Sequence, residues 1–143
     1  MRAYEIDEAT IQLPDEWADQ SVNILASSRE MPAEFSLVIN RDGMEDGEEL
    51  SDYVARQEKS LRQELPGLSV TRRGDLPIDG RPAVDLELRW TADTGPVRQR
   101  QICVAHEPGK VLTLTATAKE PYYAKYQATL DDIVARMRFR RRG

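Results

Sequence analysis

The segment Ile78-Asp-Gly-Arg-Pro-Ala-Val-Asp-Leu-Glu-Leu-Arg-Trp90 joins a tight-turn signal to a run of strict alternation. Asp79-Gly80 predicts a two-residue hairpin turn, because both central positions readily adopt a positive φ angle. After the turn, apolar side chains alternate with Asp85, Glu87 and Arg89, which is typical of a strand with one buried and one exposed face. We therefore expect an antiparallel hairpin whose charged face contacts solvent.

The same alternation continues on both sides of this hairpin and predicts a β-rich chain. Further reversals are expected at residues 93–96 and 108–109, since both contain Gly and Pro, which favour turns. Residues 68–118 thus predict a meander of four antiparallel strands. The candidate strands along the whole chain are residues 2–6, 9–13, 20–27, 34–41, 68–77, 82–92, 97–106 and 110–118.

Two helices are expected between and after these strands. The first covers about residues 49–64, with Ser51 as a possible N-cap and Pro66-Gly67 at its end. The second begins near Pro121, because proline fits the first turn of a helix. Their apolar stripes are Leu50, Tyr53, Val54, Leu61 and Leu65 in the first helix, and Tyr126, Leu130, Ile133, Val134 and Met137 in the second. This arrangement predicts an α+β fold with a mainly antiparallel sheet and two helices, in one domain over residues 1–143.

Length and charge restrict the functional classes. A chain of 143 residues with a formal net charge of −5 is typical of one globular domain. Five arginines are concentrated at the C-terminal end, at positions Arg136, Arg138, Arg140, Arg141 and Arg142. The remaining chain is strongly acidic and would repel a phosphate backbone, so we expect no nucleic-acid partner and interpret the arginines as a solvated helix end.

Membrane insertion and an oxidising compartment are not expected either. No run approaches the ~20 apolar residues that a membrane-spanning helix needs. Cys103 is the single cysteine, so an intrachain disulfide is not possible and a reducing cytoplasm is the expected location.

Few residues are candidates for catalysis or metal binding. Cys103 and His106 lie three positions apart on one predicted strand, so their side chains point to opposite faces. Asp85 and Glu87 share a strand face and could imitate a catalytic carboxylate pair, but a solvated face that includes Arg89 explains them without a catalytic role. We predict a protein without enzymatic activity, cofactor or metal. A small hydrolase that uses Asp85, Glu87 or Cys103 is the alternative from a different class.

Neutral polar residues stand at several positions where apolar ones are expected. They are Ser36 and Asn40 beside Val38 on one strand face, Gln99 and Gln101 on another strand, and Gln57 in the apolar stripe of the first helix. One interpretation is internal hydrogen bonding in a curved sheet, since buried polar groups are normally paired. The other is an open surface shared with Val22 and Ile24. That mixture suits an apolar helix, because Ser, Asn and Gln hydrogen-bond across helices in membranes.

A signal that runs along most of the chain comes from three segments, which occur in order. They are Leu13-Pro-Asp-Glu-Trp-Ala-Asp-Gln-Ser-Val-Asn-Ile-Leu25, Phe35-Ser-Leu-Val-Ile-Asn-Arg-Asp42 and Tyr53-Val-Ala-Arg-Gln57. Together they resemble the Eag family, small cytoplasmic chaperones for effectors of the bacterial type VI secretion system. The resemblance implies a curved antiparallel sheet of PsbP- and Mog1-like architecture, assembled as a homodimer.

The resemblance also implies a client and a binding surface. Eag chaperones are understood to hold the N-terminal transmembrane helices of PAAR-domain effectors, many of them Rhs toxins, before secretion, which links them indirectly to the secretion spike. The family's client-binding surface matches Val22, Ile24, Ser36, Val38, Asn40, Gln57 and Gln101, and Gln99 shares a strand face with Gln101. The resemblance favours this surface over internal hydrogen bonding. The alternative is an adaptor of the same architecture that binds a folded partner through the charged loop 42–49 or the arginine-rich end.

Overall fold

The computed structural model describes residues 1–30 and 32–140 of the chain. The strands in this part are β1 (Arg2–Glu5), β2 (Thr10–Leu13), β3 (Asn23–Ala26), β4 (Phe35–Gly43), β5 (Ser69–Asp75), β6 (Ala83–Ala92), β7 (Gly95–Glu107) and β8 (Lys110–Lys119), and the helices are α1 (Leu50–Glu64) and α2 (Glu120–Arg136). Every predicted element forms, with ends that differ from the prediction by no more than a few residues. The α+β prediction is confirmed.

Strands β3 to β8 form one antiparallel sheet in the order β3-β4-β8-β7-β6-β5. The last four strands pair in sequence as the predicted meander. Asp79 and Gly80 have φ angles of 48° and 76°, so the predicted turn of positive φ is present. Strand β4 joins the other side of β8, with Phe35 opposite Ala118. The N-terminal half of the chain therefore adds β3 and β4 to the end of the C-terminal meander.

Strands β1 and β2 form a separate two-stranded hairpin instead of extending this sheet. Among the described residues, neither strand lies against any other helix or strand. The hairpin is held to the segment before β3 by a 2.7 Å hydrogen bond between the hydroxyl groups of Tyr4 and Ser21. The side chains of Ile6 and Ile11 are exposed. The hairpin thus exposes apolar surface.

The larger apolar cluster lies between the sheet and α2. Its buried members are Phe35, Leu37, Ile78, Ala83, Ile102, Val104, Leu114, Ala116, Ala118, Tyr123, Leu130 and Val134. The predicted stripe of α2 was wrong at one position, because Ile133 is 38% exposed, and it lacked Tyr123, which is 2% exposed. Tyr123 lies in the first turn of α2, two turns before Leu130, so the stripe begins earlier than the prediction allowed.

Helix α1 covers the opposite face of the sheet. It packs with a second cluster of buried residues, namely Tyr53, Val54, Val84, Leu86, Leu88, Cys103 and Val111. These strand residues alternate with those beneath α2, which places the two helices on opposite faces. The backbone N–H of Glu49 donates to the Asp52 carboxylate at 3.1 Å. Glu49, rather than the predicted Ser51, is therefore the N-cap residue.

The prediction that the charged face of β6 contacts solvent was wrong for Asp85 and Glu87, whereas it holds for Arg89, whose side chain is 50% exposed. Asp85 and Glu87 are only 2% and 7% exposed. Arg100 on β7 donates two hydrogen bonds to Asp85, at 2.9 and 2.8 Å, and also binds Asp131 on α2. Arg72 on β5 donates to Glu87 at 3.1 Å. Both carboxylates are buried because β6 lies inside the sheet and arginines on its neighbours neutralise the charge.

The described part of the arginine-rich end belongs to α2 and the residues that follow it. Arg136 donates to Asp132, one turn earlier, at 2.9 Å. Arg138 donates to the backbone carbonyl groups of Ala135 and Met137. Arg141 and Arg142 lie outside the described residues.

Candidate functional site

The sheet face that carries α1 is covered along only part of its width. Helix α1 packs on β6 and β7, and the same face of β8, β4 and β3 continues beside it. We call this region the neutral groove, with α1 as one wall, β8 and β4 as the floor and β3 as the outer lip. Its rows across the strands are Ala26, Ser36, Thr117 and Gln99; Ile24, Val38, Thr115 and Gln101; and Asn40, Thr113 and Cys103.

The structure brings most of the predicted site residues to this face. Directly paired residues of an antiparallel sheet share a face, so Ile24, Val38 and Gln101 form one continuous row. Val22 lies immediately before β3, near the same lip. Exposure falls from the lip to the wall: Ile24 is 72% exposed, whereas Gln101 is 6% exposed. The groove is therefore open on the β3 side and deep on the α1 side.

The two strand glutamines differ in their hydrogen bonding. The indole N–H of Trp90 donates to the amide oxygen of Gln99 at 3.3 Å. The amide oxygen of Gln101 is buried and has no hydrogen-bond partner among residues 1–30 and 32–140. An unpaired buried acceptor costs about 1–3 kcal/mol of stability. Gln101 therefore carries an unused hydrogen-bonding capacity at the deep side of the groove.

Gln57 lies on the wall of the groove. It is half-buried on α1, four residues after Tyr53 and four before Leu61, in the stripe that faces the sheet. Tyr53 fixes this helix to β4, because its hydroxyl donates to the Asp42 carboxylate at 2.8 Å. Burial, together with this hydrogen bond to Asp42, raises the pKa of Tyr53 well above its ordinary value. The phenol therefore stays protonated and keeps the wall in place.

The sequence interpretation missed the threonines of the floor. Thr113, Thr115 and Thr117 occupy alternate positions of β8, between the β4 and β7 residues of the groove. Thr113 is buried and its hydroxyl lies 3.8 Å from the sulfur of Cys103, to which it donates. Thr115 and Thr117 are half-buried. Their period of two was visible in the sequence, but only the β4–β8 pairing shows that they lie in the centre of the floor.

The floor is neutral, and charged groups lie at its end. A depression next to Asn40 is lined by Asp19, Gln20, Ser21, Val22, Asn40, Arg41 and Asp42. Hydrogen bonds from the side chain and backbone of Ser21 lower the pKa of Asp19, so this carboxylate is ionised at neutral pH. An apolar ligand could therefore occupy the floor without covering a charge. Any polar residues at the end of such a ligand could contact the charged depression.

The residues that were considered for catalysis, namely Asp85, Glu87 and Cys103, are part of the packed interior. The carboxylates of Asp85 and Glu87 bind arginines, and burial raises the pKa of the Cys103 thiol to about 11. In the described part of the chain, no group of three or more His, Cys, Asp or Glu residues is placed to hold a metal ion. None of the helices described is both long enough and apolar enough to cross a membrane.

Comparison with known proteins identifies the relatives of this sheet and groove. Residues 8–136 match the DcrB family. This chain belongs to the DcrB family. The chain is also similar to Effector EagT6 of Pseudomonas aeruginosa. The two sequences are 36% identical over 118 residues, or 82% of each chain. The predicted resemblance to the Eag proteins is thus confirmed.

Solved structures show the same fold for this DcrB-family chain. PA94, a protein of unknown function from Pseudomonas aeruginosa, is 30% identical, with a TM-score of 0.81 over 99% of both chains. The cyanobacterial PsbP of Synechocystis is 13% identical, with a TM-score of 0.55 over 94% of this chain and 88% of that one. LpqN of Mycobacterium tuberculosis, involved in cell envelope biogenesis, is 14% identical, with a TM-score of 0.58 over 86% and 78%. The predicted PsbP-like architecture is confirmed, and the last two similarities concern the fold alone.

Proposed function

We propose that this protein is a cytoplasmic chaperone of the bacterial type VI secretion system that binds the N-terminal transmembrane helices of a PAAR-domain effector, such as an Rhs toxin. The neutral groove would shield these helices from water until the effector joins the secretion spike. The similarity to Effector EagT6 supports the link to an effector. The observation that carries the proposal is the groove, whose size and chemistry fit one apolar helix.

The dimensions of the groove match those of such a helix. The three open strands β3, β4 and β8 span about 10 Å, at roughly 4.8 Å between neighbours, and a helix with its side chains is about 10–12 Å wide. Strand β8 contains 10 residues, which extend over roughly 33 Å. A transmembrane helix of about 20 residues is about 30 Å long. One helix can therefore lie along the floor with α1 at its side.

The side chains of the groove would provide affinity for an apolar helix and would tolerate differences in the sequence of that helix. Ile24, Val22 and Val38 offer apolar surface, and each 100 Å² that a client covers contributes roughly 2.5 kcal/mol at ~25 cal/mol/Å² before ordering costs. Ser36 and Asn40 add neutral donors and acceptors, which can pair with polar client residues without desolvating a charge. A mixed surface of this kind binds apolar helices of different sequence.

A homodimer is part of the proposal. Of the nine large apolar side chains that are exposed in residues 1–30 and 32–140, seven lie in the first 25 residues, namely Met1, Ile6, Ile11, Trp17, Val22, Ile24 and Leu25. Strand β3 is also an edge strand of the sheet, and an unprotected edge can pair with another chain. A twofold arrangement would cover the part of this surface that lies outside the groove.

Capture of an effector's N-terminal helices tests the function. Ile24→Asp places a charge where the client's apolar surface would lie, so we expect at least a tenfold loss of captured effector on co-expression and pull-down. Ile133→Asp is the matched control, because Ile133 is also exposed but lies on α2, on the other face. Thermal melting and light scattering of each variant alone check the fold and the assembly. Normal capture by Ile24→Asp would show that the groove is not the binding site.

A further inference from the structure

We infer that the neutral groove limits the length of the apolar helix that it can cover, because a charged side chain closes its floor at each end. The two residues are Asp42 on β4 and Lys119 on β8. This inference rests on the proposed function and adds a limit of about 18 residues to the apolar part of the client that the groove can shield.

Asp42 closes the floor at the end where α1 begins. It lies directly opposite Val111, which is buried in the cluster beneath α1, so the Asp42 side chain lies on the face of the groove. The hydroxyl of Tyr53 donates to its carboxylate at 2.8 Å. Asp42 is exposed, so an apolar helix that covered it would displace water from the carboxylate.

Lys119 closes the floor at the other end. It is the last residue of β8 and follows Thr115 and Thr117 at a period of two, so the three side chains share the face of the groove. Directly after it the chain turns into α2, and the floor ends there. Lys119 is exposed, and its ammonium group would also lose water under an apolar helix.

The floor between these two residues is uncharged and has a defined length. The three rows of the neutral groove lie between them and consist of neutral residues throughout. Val111 and Lys119 are eight positions apart on β8, which corresponds to roughly 27 Å at about 3.4 Å per residue. A helix rises about 1.5 Å per residue, so about 18 residues cover this distance. The uncharged floor is therefore shorter than the whole of β8.

Helix α1 runs along the same distance as the wall of the groove. Its first turns are tied to Asp42 by the hydroxyl of Tyr53. Just after its end, the carbonyl group of Pro66 accepts a hydrogen bond from the backbone N–H of Thr91 at 3.2 Å. Thr91 lies at the end of the sheet where β8 finishes. The wall therefore extends from the Asp42 end to the Lys119 end, and a helix packed beside it lies along the strands.

A helix in this position gains contact only as far as the floor extends. Each apolar residue added up to the limit covers more of the floor and the wall, which favours binding. Residues beyond the limit would have to cover Asp42 or Lys119, and taking a charge out of water without a partner is unfavourable. The affinity of the groove should therefore rise with the length of the client and stop rising at about 18 residues.

A series of host helices tests the inference. The probes are helices of Leu and Ala between neutral Gly-Ser linkers, fused to a small carrier domain, and their length increases from about 12 to about 24 residues in steps of just under one turn. Two hosts of neighbouring length, with carriers of different size, are co-expressed with the chaperone, and the ratio of captured hosts is measured. We expect each step to raise capture about threefold up to about 18 residues, and about equal capture of all longer hosts.

Variants of the two end residues show whether the charges set the limit. Lys119→Leu removes the ammonium group, and Asp42→Asn removes the carboxylate charge while keeping an acceptor for Tyr53. In both variants we expect the rise in capture to continue by about one further turn, to about 21 residues. Lys125→Leu is the matched control, because Lys125 is exposed on α2, on the other face, where it binds Glu34. Its limit should stay at about 18 residues.

Thermal melting shows whether the variants fold, and Lys119→Leu alone suffices if Asp42→Asn does not. A rise that continues to the longest host in the unmodified protein would overturn the inference but leave the proposed function intact. So would an unchanged limit in Lys119→Leu. Failure to capture a host of any length above the carrier alone would overturn both.

Discussion

The sequence places Cys103 on a strand, but only its surroundings in the fold explain the pKa of its thiol. Its lack of a catalytic partner was expected, and the structure buries it beneath α1 with 1% exposure. Burial raises the pKa of the thiol from an ordinary 9.0 to about 11. The folded protein therefore holds this proton at pH values where the unfolded chain has already released it.

The stability of the protein should consequently fall as the pH rises from about 9 to 11. In that window the unfolded state binds fewer protons at Cys103 than the folded state, so the free energy of unfolding decreases by up to about 2–3 kcal/mol. Cys103→Ala should remove this part of the decrease. Urea unfolding of both proteins at pH 8 and pH 10 measures the difference. Parallel losses in the two proteins would show that the thiol contributes nothing to the pH dependence.

Single residues of the groove illustrate what sequence patterns can predict. The alternation of Ser36, Val38 and Asn40 placed them on one face, and the register confirms that they share it with Ile24 and Gln101. Whether an amide on that face is paired could not be predicted, since it depends on which side chain lies opposite. Only the structure shows that the amide oxygen of Gln99 accepts a hydrogen bond from Trp90. The amide oxygen of Gln101 has no hydrogen-bond partner among the described residues.

At the scale of elements, α2 is fastened to the sheet by an ion pair as well as by apolar contacts, with the arginine buried and the Asp131 side chain 56% exposed. Arg100 on β7 binds both Asp85 on β6 and Asp131 on α2. Burial disfavours the charge on Arg100, but its hydrogen bonds to Asp85 and Asp131 outweigh burial and raise its pKa further. The guanidinium thus remains charged and needs its carboxylates.

Removing the carboxylate of Asp85 should therefore destabilise the protein strongly. Asp85→Asn leaves Arg100, whose side chain is 6% exposed, without its main counter-charge, and we expect the free energy of unfolding to fall by about 3 kcal/mol. Asp132→Asn removes the exposed partner of Arg136 and should cost less than about 0.5 kcal/mol. Denaturant unfolding monitored by circular dichroism compares the two. Similar small losses in both variants would mean that the buried pair Arg100–Asp85 does not stabilise the fold.

The elements also show why this network was mistaken for a solvated face. The alternation of polar and apolar residues in β6 fits a polar face that contacts water and equally a polar face that is covered by other elements. The pattern shows which side chains are polar, but not whether anything packs over them. The strand's neighbours decide the outcome: β5 and β7 bring Arg72 and Arg100, and α2 closes the face. Strand positions and the two helices followed from local periodicity and turns, whereas the faces that the helices cover depend on strand order, which local patterns do not contain.

At the scale of the whole molecule, the exposed apolar side chains mark the surface at which the proposed homodimer would form. Most of them lie in the β1–β2 hairpin, in the segment after it and in β3, and α2 contributes only Tyr122 and Ile133 among the described residues. Such a concentration on one end of a molecule is typical of an interaction surface.

We therefore expect the protein without client to be a dimer with twice the 16.3 kDa mass of one chain. Leu25→Asp should favour the monomer, because Leu25 is exposed on the edge strand but lies on the face opposite the groove. Ile133→Asp serves as the control and should remain dimeric. Light scattering at micromolar concentration measures the masses. A single 16.3 kDa species for the unmodified chain would contradict the homodimer.

The pairing of β4 with β8 has a consequence for biosynthesis. The groove floor joins Phe35 to Ala118 and Gly43 to Lys110, partners that lie far apart in sequence and give the fold a high contact order. Such topologies fold in milliseconds to seconds rather than microseconds. A nascent chain that has not yet reached β8 has no floor, so the groove forms only after residues 110–119 have been synthesised. Under the proposed function, the protein would have to fold before its effector emerges, which favours its synthesis ahead of the effector.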